Sequence, residues 1–296
     1  GLFAVDDGRG WQSITPPTAH PIRAVFFAGR HYGWVISQPD GSSLQIWRTT
    51  DGGITWQSPV SLQVEQPVQA IHLDFLNEQH GWLVAKLETG LNFSQGIMFS
   101  TDDGGVTWNR HSTELPVGEP VQFVSEEVGW LAGGPTYSEL YVTWDGARSW
   151  ERREIVSLQA GQIPAYQPPI FENDQIGAMA VTLYHPVNPQ LEVYTTADGG
   201  LNWQLASRIS LAQPLGPGVR VPVAMLDAQH WLVADPSGTP GLPANIVQLS
   251  MLTTEAGWAV TQDQQCTDAG CSRHMTLVQT EDGGGTWAEI LLPVTP

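Results

Sequence analysis

Acidic side chains are the first candidates for chemistry in this chain, because 30 Asp and Glu stand against 12 Lys and Arg. Two carboxylates facing each other across a cleft would make a glycoside hydrolase, and Asp74, Glu126, Glu127, Glu172, Asp174 and Asp227 are available. All six fall between short apolar runs, where such residues usually serve as turn and cap groups. They are read that way here, and His31, His80 and His230, at equivalent places, are read as capping groups too. Cys266 and Cys271 are separated by four residues in a polar stretch and are read as a loop-pinning disulfide, with two free thiols as the alternative. A disulfide implies an extracytoplasmic compartment. Only His274 lies near them, so the ligand spacing of a zinc site is not met, and no phosphate loop or nucleophile elbow is present. No metal, cofactor or catalytic residue is therefore expected.

A second set of chemistry-bearing residues lies in five long, mostly polar connections, residues 87–96, 156–169, 183–191, 211–220 and 262–274. Tyr166, Tyr184, His185, Arg220, Asp263, Arg273 and His274 are expected to approach one surface from them. A mixture of aromatic and charged groups suits a protein partner, with a glycan as the other ligand class. Ordinary exposed loops are the competing reading for each residue taken singly.

The elements that position these residues follow from internal repeats. Asp51-Gly-Gly-Ile-Thr-Trp56, Asp103-Gly-Gly-Val-Thr-Trp108, Asp145-Gly-Ala-Arg-Ser-Trp150, Asp198-Gly-Gly-Leu-Asn-Trp203 and Asp282-Gly-Gly-Gly-Thr-Trp287 are variants of one motif, and Asp6 to Trp11 is a degenerate copy. A second motif runs out of phase with it: Gly33-Trp34, Gly81-Trp82, Gly129-Trp130 and Gly257-Trp258, with Gly177-Ala178 and His230-Trp231 as variants. Each module thus reads as strand a, a short turn, strand b opening at Gly-Trp, a variable loop, strand c, the Asp-Gly-Gly turn and strand d. The Asp carboxylate can accept bonds from backbone N–H groups of its turn, Gly supplies positive φ, and the Trp is expected to bury its ring against the neighbouring module.

Four short antiparallel strands repeating every 40 to 50 residues are the signature of propeller blades. An all-β propeller occupying residues 1–296 as one domain is expected, with modules at about residues 3–14, 22–62, 68–113, 121–156, 170–210, 223–243 and 246–292. The first is partial, and the sixth keeps strands a and b without an Asp box. Seven blades with one or two incomplete are favoured, with six as the alternative.

Ser100-Thr-Asp-Asp-Gly-Gly-Val-Thr-Trp108 resembles the Asp-box, or BNR, repeat named from bacterial neuraminidases, and similar segments cover nearly the whole chain. The pairing of Gly-Trp with Thr-x-Asp-Gly-Gly-x-Thr-Trp more closely resembles the photosystem II stability and assembly factor propellers. So does the opening Trp11-Gln-Ser-Ile14 followed by Val25-Phe-Phe27. That resemblance implies a non-catalytic scaffold that binds partner proteins outside the cytoplasm. A sialidase-like fold also raises sialidase chemistry, which needs three convergent arginines for a carboxylate. Arg48, Arg110, Arg148, Arg152, Arg153 and Arg208 flank Asp boxes on outer strands, leaving Arg23 and Arg220 as the inner-strand candidates, too few for that site. A divergent sialidase-like or other glycan-active enzyme is the alternative. The net charge of −18, with Lys86 the sole lysine, disfavours nucleic acid and anionic membrane surfaces. No apolar run approaches the ~20 residues of a membrane helix, and Gly1 to Val5 lacks the pattern of a signal peptide.

Overall fold

The computed structural model describes residues 2–6, 10–89, 94–211, 215–234, 243, 245–267 and 270–291. Apolar alternation and Gly-rich turns produce short antiparallel strands throughout. β1 (Phe3–Asp6) and β2 (Gly10–Ser13) form a two-stranded ladder. Three four-stranded blades follow: β3 (Ile22–Ala28) to β6 (Val60–Gln63) through β4 (Tyr32–Ser37) and β5 (Ser43–Thr49), then β7 (Val68–Phe75) to β10 (Asn109–Arg110) through β8 (Gly81–Leu87) and β9 (Gly96–Thr101), then β11 (Val121–Phe123) to β14 (Glu151–Arg153) through β12 (Gly129–Gly133) and β13 (Glu139–Thr143). The fourth blade has β15 (Ile163–Tyr166) and β16 (Ile170–Phe171) both paired to β17 (Gly177–Tyr184), then β18 (Gln190–Thr196) and β19 (Gln204–Ser210). β20 (Val223–Met225) and β21 (Trp231–Val233) form a two-stranded sheet, and β22 (Ile246–Met251), β23 (Gly257–Thr267), β24 (Gly270–Thr280) and β25 (Ala288–Glu289) form the last blade.

The architecture is an all-β propeller with four-stranded antiparallel blades, but the expected count of seven or six is corrected. Five sheets among the described residues have four or more strands. The segments counted as the first and sixth modules contribute only two-stranded ladders. For the sixth module, residues 235–242 lie outside the described residues.

Two compact units divide the chain: residues 1–135, 139–154 and 295–296 in one, residues 136–138 and 155–294 in the other. Within the first unit β7 runs beside both β3 and β11. The Gly-Trp motif makes this neighbour contact. Trp34 of β4 lies flat on Phe75 of the next blade, with ring centroids 3.6 Å apart, and Trp82 stacks on Phe123 at 3.7 Å. The glycine before each Trp leaves room for the blade's own strand-a aromatic, since a Cβ on Gly81 would sit 2.3 Å from the Phe75 ring. Trp34 also donates its indole N–H to the Gly104 carbonyl of the second blade at 2.8 Å.

Each Asp box closes on itself and then on its own blade. Asp51 accepts the Thr55 N–H (2.9 Å) and hydroxyl (2.6 Å), together with the Thr49 hydroxyl at 2.7 Å. The Thr49 oxygen in turn accepts the Gly53 N–H, and Gly52 donates to the His31 carbonyl in the turn between β3 and β4. Asp103, Asp145, Asp198 and Asp282 repeat the arrangement. Trp56, Trp108 and Trp203 stand edge-on to Phe27, Phe75 and Phe171 of their own blades.

Three local readings change. Asp74 is not in a turn: it lies within β7, opposite Trp82. The connection at 156–169 contains β15, because strand a of the fourth blade is broken around Pro168-Pro169, which lack the N–H groups a ladder needs. The stretch 262–274 is not a loop but the far part of the β23–β24 hairpin. β22 stops pairing at Thr261 and β25 reaches back only to Val278, so polar residues carry a two-stranded ribbon past the rest of the sheet.

Candidate functional site

All seven predicted binding residues fall in the second unit. Arg220 has the most defined setting. The next residue, Val221, is buried, its N–H bonded to the Thr182 hydroxyl at 3.0 Å and its carbonyl to the Gln167 amide at 2.6 Å. This double anchor on the fourth blade fixes where the Arg220 side chain starts. The guanidinium carbon then lies 3.9 Å from the centre of the Tyr137 ring, a cation–π contact worth about 0.5–2 kcal/mol.

Tyr137 was not singled out from the sequence. It belongs to a short 3-10 turn, Pro135–Tyr137, in which Thr136 (φ 57) and Tyr137 (φ 55) are both left-handed. Left-handed non-glycine residues cost about 1–2 kcal/mol each and concentrate where function or packing over-determines them. Packing does so at Gly218, which is itself left-handed and whose Cβ, if present, would be 3.0 Å from the Thr136 Cα. Among the described residues, no hydrogen bond or ion pair occupies the Arg220 N–H groups, which leaves its planar donor set free for a carboxylate or carbonyl.

His185 caps a turn, its Nδ1 accepting the N–H groups of Val187 (3.2 Å) and Asn188 (3.1 Å). Tyr184, half-buried, ends β17 opposite Ile163. Asp263 and His274 face each other across the β23–β24 ribbon, where both are exposed, and Asp263 accepts the Asn245 side-chain amide at 3.0 Å. Arg273 is exposed on the same ribbon. Cys271 is disulfide-bonded, and the register sets Cys266 opposite it. Tyr166 is a correction: it is 4% exposed in β15, because the broken strand a turns its ring into the unit's interior. No hydrogen bond or ion pair links Arg220, His185 and the Asp263–His274 pair among the described residues; Arg220 with Tyr137 and the β23–β24 ribbon are the two settings of this set with defined contacts.

Two polar clusters also escaped the sequence reading. Glu192, 2% exposed, accepts the Tyr194 hydroxyl (2.5 Å) and the Arg208 Nε and Nη2 (2.7 and 2.6 Å). Burial, reinforced by that bond to Glu192, pushes the Tyr194 hydroxyl above its ordinary value. The signal was present as Glu-x-Tyr on strand c with Arg on strand d, since Glu139, Tyr141 and Arg152 recur in the third blade. In the first unit Lys86 meets buried Glu119 at 2.5 Å, and Ser94 donates to the same carboxylate oxygen. Both clusters satisfy buried charge, which makes them structural parts of the frame.

The box aspartates are committed in the same way. The side-chain and backbone bonds from Thr55 hold Asp51 down at about 2, and those from Ser149 hold Asp145 at about 2. Carboxylates held so far below neutrality are poor general acids. Among the described residues no group of three or more His, Cys, Asp or Glu is placed to hold a metal, and no helix is long and apolar enough to cross a membrane.

Residues 57–229 match the family model described as photosynthesis system II assembly factor YCF48. The chain belongs to that family. One curated relative, the photosystem II assembly lipoprotein Ycf48 of Synechococcus sp. (strain CC9902), is 28% identical over 148 residues, covering 49% of this chain and 38% of the relative. The match therefore spans well under two thirds of that family member. Among solved structures, YCF48 bound to D1 peptide is similar at 18% identity and TM-score 0.47, covering 97% of this chain and 88% of that one. The GH74 xyloglucanase of Xanthomonas campestris is similar at 14% identity and TM-score 0.53, covering 95% of this chain and 46% of that one. At such identity the likeness concerns the propeller fold alone.

Proposed function

We propose that this family member is a non-catalytic, extracytoplasmic scaffold that binds a protein subunit during assembly of a photosystem II-type membrane complex. The observation that carries the reading is the Arg220 guanidinium, stacked on Tyr137 over a strained turn with its N–H groups unspent. Such a pre-organised donor fork binds a carboxylate or an exposed main-chain carbonyl without first losing rotamer freedom. Family membership supports the assembly role, the lipoprotein relative supports a location outside the cytoplasm, and the saturated box aspartates support binding over hydrolysis.

The test is capture of detergent-solubilised photosystem II assembly intermediates on immobilised full-length chain. Retention by the wild type and at least about a tenfold weaker apparent affinity for Arg220→Ala are expected, corresponding to about 1.4 kcal/mol. Arg220→Lys should recover little, because it keeps the charge but loses the planar fork. No retention by the wild type, or xyloglucan hydrolysis abolished by a single carboxylate substitution, would overturn the proposal.

A further inference from the structure

The structure assigns a second binding site, in the first unit at the joint between the second and third blades, which takes a carboxylate through the Trp82 indole N–H and the Arg148 guanidinium. It shares no residue with the Arg220 site. Two departures from the repeat create it. At the joint between the first and second blades, Arg48 stands opposite Trp34, and its guanidinium comes within 3.2 Å of the point where a Cβ on Gly104 would sit. One blade further on, Ser100 takes the place of Arg48 opposite Trp82. The shorter side chain leaves a cavity of about 470 Å³ lined by Trp82, Ser100, Asp102, Glu126, Gly146 and Arg148, among others. It lies at the start of β8 and the end of β9, and every lining residue belongs to an uninterrupted described run.

The second departure frees a buried donor. Trp34 gives its indole N–H to the Gly104 carbonyl at 2.8 Å, and a Cβ on Gly105 would lie only 2.9 Å from that nitrogen. In the next box Ala147 holds the place of Gly105, since its N–H bonds Thr143 as that of Gly105 bonds Thr101. Its methyl group belongs to the same buried cluster as Trp82. Trp82 keeps its stack on Phe123, but its indole N–H makes no hydrogen bond among the described residues. The residue is only 5% exposed. A donor so far withdrawn from water is costly until it meets an acceptor.

Arg148 supplies the charge. Its guanidinium takes part in no hydrogen bond or ion pair among the described residues, and its counterpart in the preceding box is the uncharged Val106. An indole N–H beside a planar guanidinium fork suits the two oxygens of a carboxylate. Asp102 and Glu126 limit how much negative charge can enter. Their oxygens lie 3.6 and 3.4 Å from the His80 ring nitrogens, and both side chains are well exposed, so water screens them from a singly charged ligand. A phosphate dianion meets more of that repulsion. The volume admits a small organic acid or one Asp or Glu side chain of a polypeptide.

The experiment follows the Trp82 indole N–H resonance of the intact chain, assigned with Trp82→Phe, during titration with sodium propionate at constant ionic strength. A saturating downfield shift with a Kd of about 10 mM is expected. Ala147 is left-handed (φ 66), so Ala147→Gly is tolerated by the backbone; it should let the indole close on the box carbonyl and weaken binding about tenfold. Arg148→Val should weaken binding about tenfold without moving the ligand-free resonance. Asp102→Asn should tighten it about twofold. End-blocked Gly-Gly-Glu-Gly-Gly and its Gln twin separate the two sources. A Glu peptide about tenfold tighter than propionate assigns the site to a polypeptide side chain, and equal or weaker affinity assigns it to a free acid; either supports a carboxylate site. No saturable shift, an equal shift with methylguanidinium chloride or inorganic phosphate, equal binding of the Gln twin, or undiminished binding by Arg148→Val would each overturn the inference.

Discussion

At the joint between the first two blades, Trp34 lies flat on Phe75 and ties its indole N–H to the neighbouring Asp box, and the ring is completely buried. At the joint between the β20–β21 pair and the last blade, Trp231 and Met251 instead line an open cavity. Both joints use the same positions of the repeat, namely the strand-b Trp and the bulky residue that ends the next strand a. Gly257 even leaves room for Met251 as Gly81 does for Phe75. What differs is the sheet behind the Trp. β4 is backed by β5 and β6, while β21 has nothing outside it among the described residues. A local motif can place a ring, but the completed sheet is what seals it.

The sharpest way to break this comparison is to truncate the two rings. Trp34→Ala removes a fully buried side chain, a stack and a buried hydrogen bond, and should cost about 4 kcal/mol. Trp231→Ala, at a half-exposed position, should cost about 1 kcal/mol. Urea unfolding of both variants checks the pair, and equal losses would mean that the cavity is not open in solution. Next comes Gly81→Ala, which sets a methyl 2.3 Å from the Phe75 ring. Displacing Phe75 also disturbs the stack with Trp34, so a loss of about 2–3 kcal/mol is expected.

The contrast also explains what was legible in the sequence. The Asp box and Gly-Trp were readable because each is a local device: Asp51 bonds residues two before and four after it, and Gly33 answers to Phe27 in the adjacent strand. Tyr137 was not readable, because its importance comes from Arg220, far along the chain, and from a backbone turn that its residue type disfavours. Tyr166 was misplaced because Pro168-Pro169 hid the strand that buries it. The β23–β24 ribbon was misread because Gln262 to His274 lacks apolar alternation, and a ribbon outside the sheet has no core face to demand it.

A smaller effect separates the carboxylates that bridge neighbouring modules. In the first unit Asp74 accepts the Phe123 N–H at 2.7 Å, and burial pushes it up to about 6 despite that bond. In the second unit Glu172 accepts the Ala228 N–H at 2.6 Å from an exposed position. Since Asp74 titrates higher folded than unfolded, the native state holds the extra proton between about pH 4 and 6. Stability should therefore fall as pH rises through that window, by at most about 3 kcal/mol. The box aspartates have the opposite sign: their contribution is present above pH 4 and lost as pH drops towards 2. Asp74→Asn keeps an acceptor for Phe123 and should flatten the upper limb, raising stability at pH 7 by about 1–2 kcal/mol. Unfolding free energies measured from pH 3 to 8 test this, and an unchanged upper limb in the variant would show that Asp74 is not its source.

The smallest effect is the one that would convert one joint into the other. Met251→Phe places an aromatic ring where the complete joints carry Phe75 and Phe123, beside a glycine that already leaves space for a bulky neighbour. Filling part of the cavity should stabilise the chain by about 0.5–1 kcal/mol and reduce the exposure of Trp231, read as a blue shift of its fluorescence. A variant with unchanged stability and an unshifted Trp231 emission would show that the larger ring does not fill the cavity that Trp231 and Met251 line.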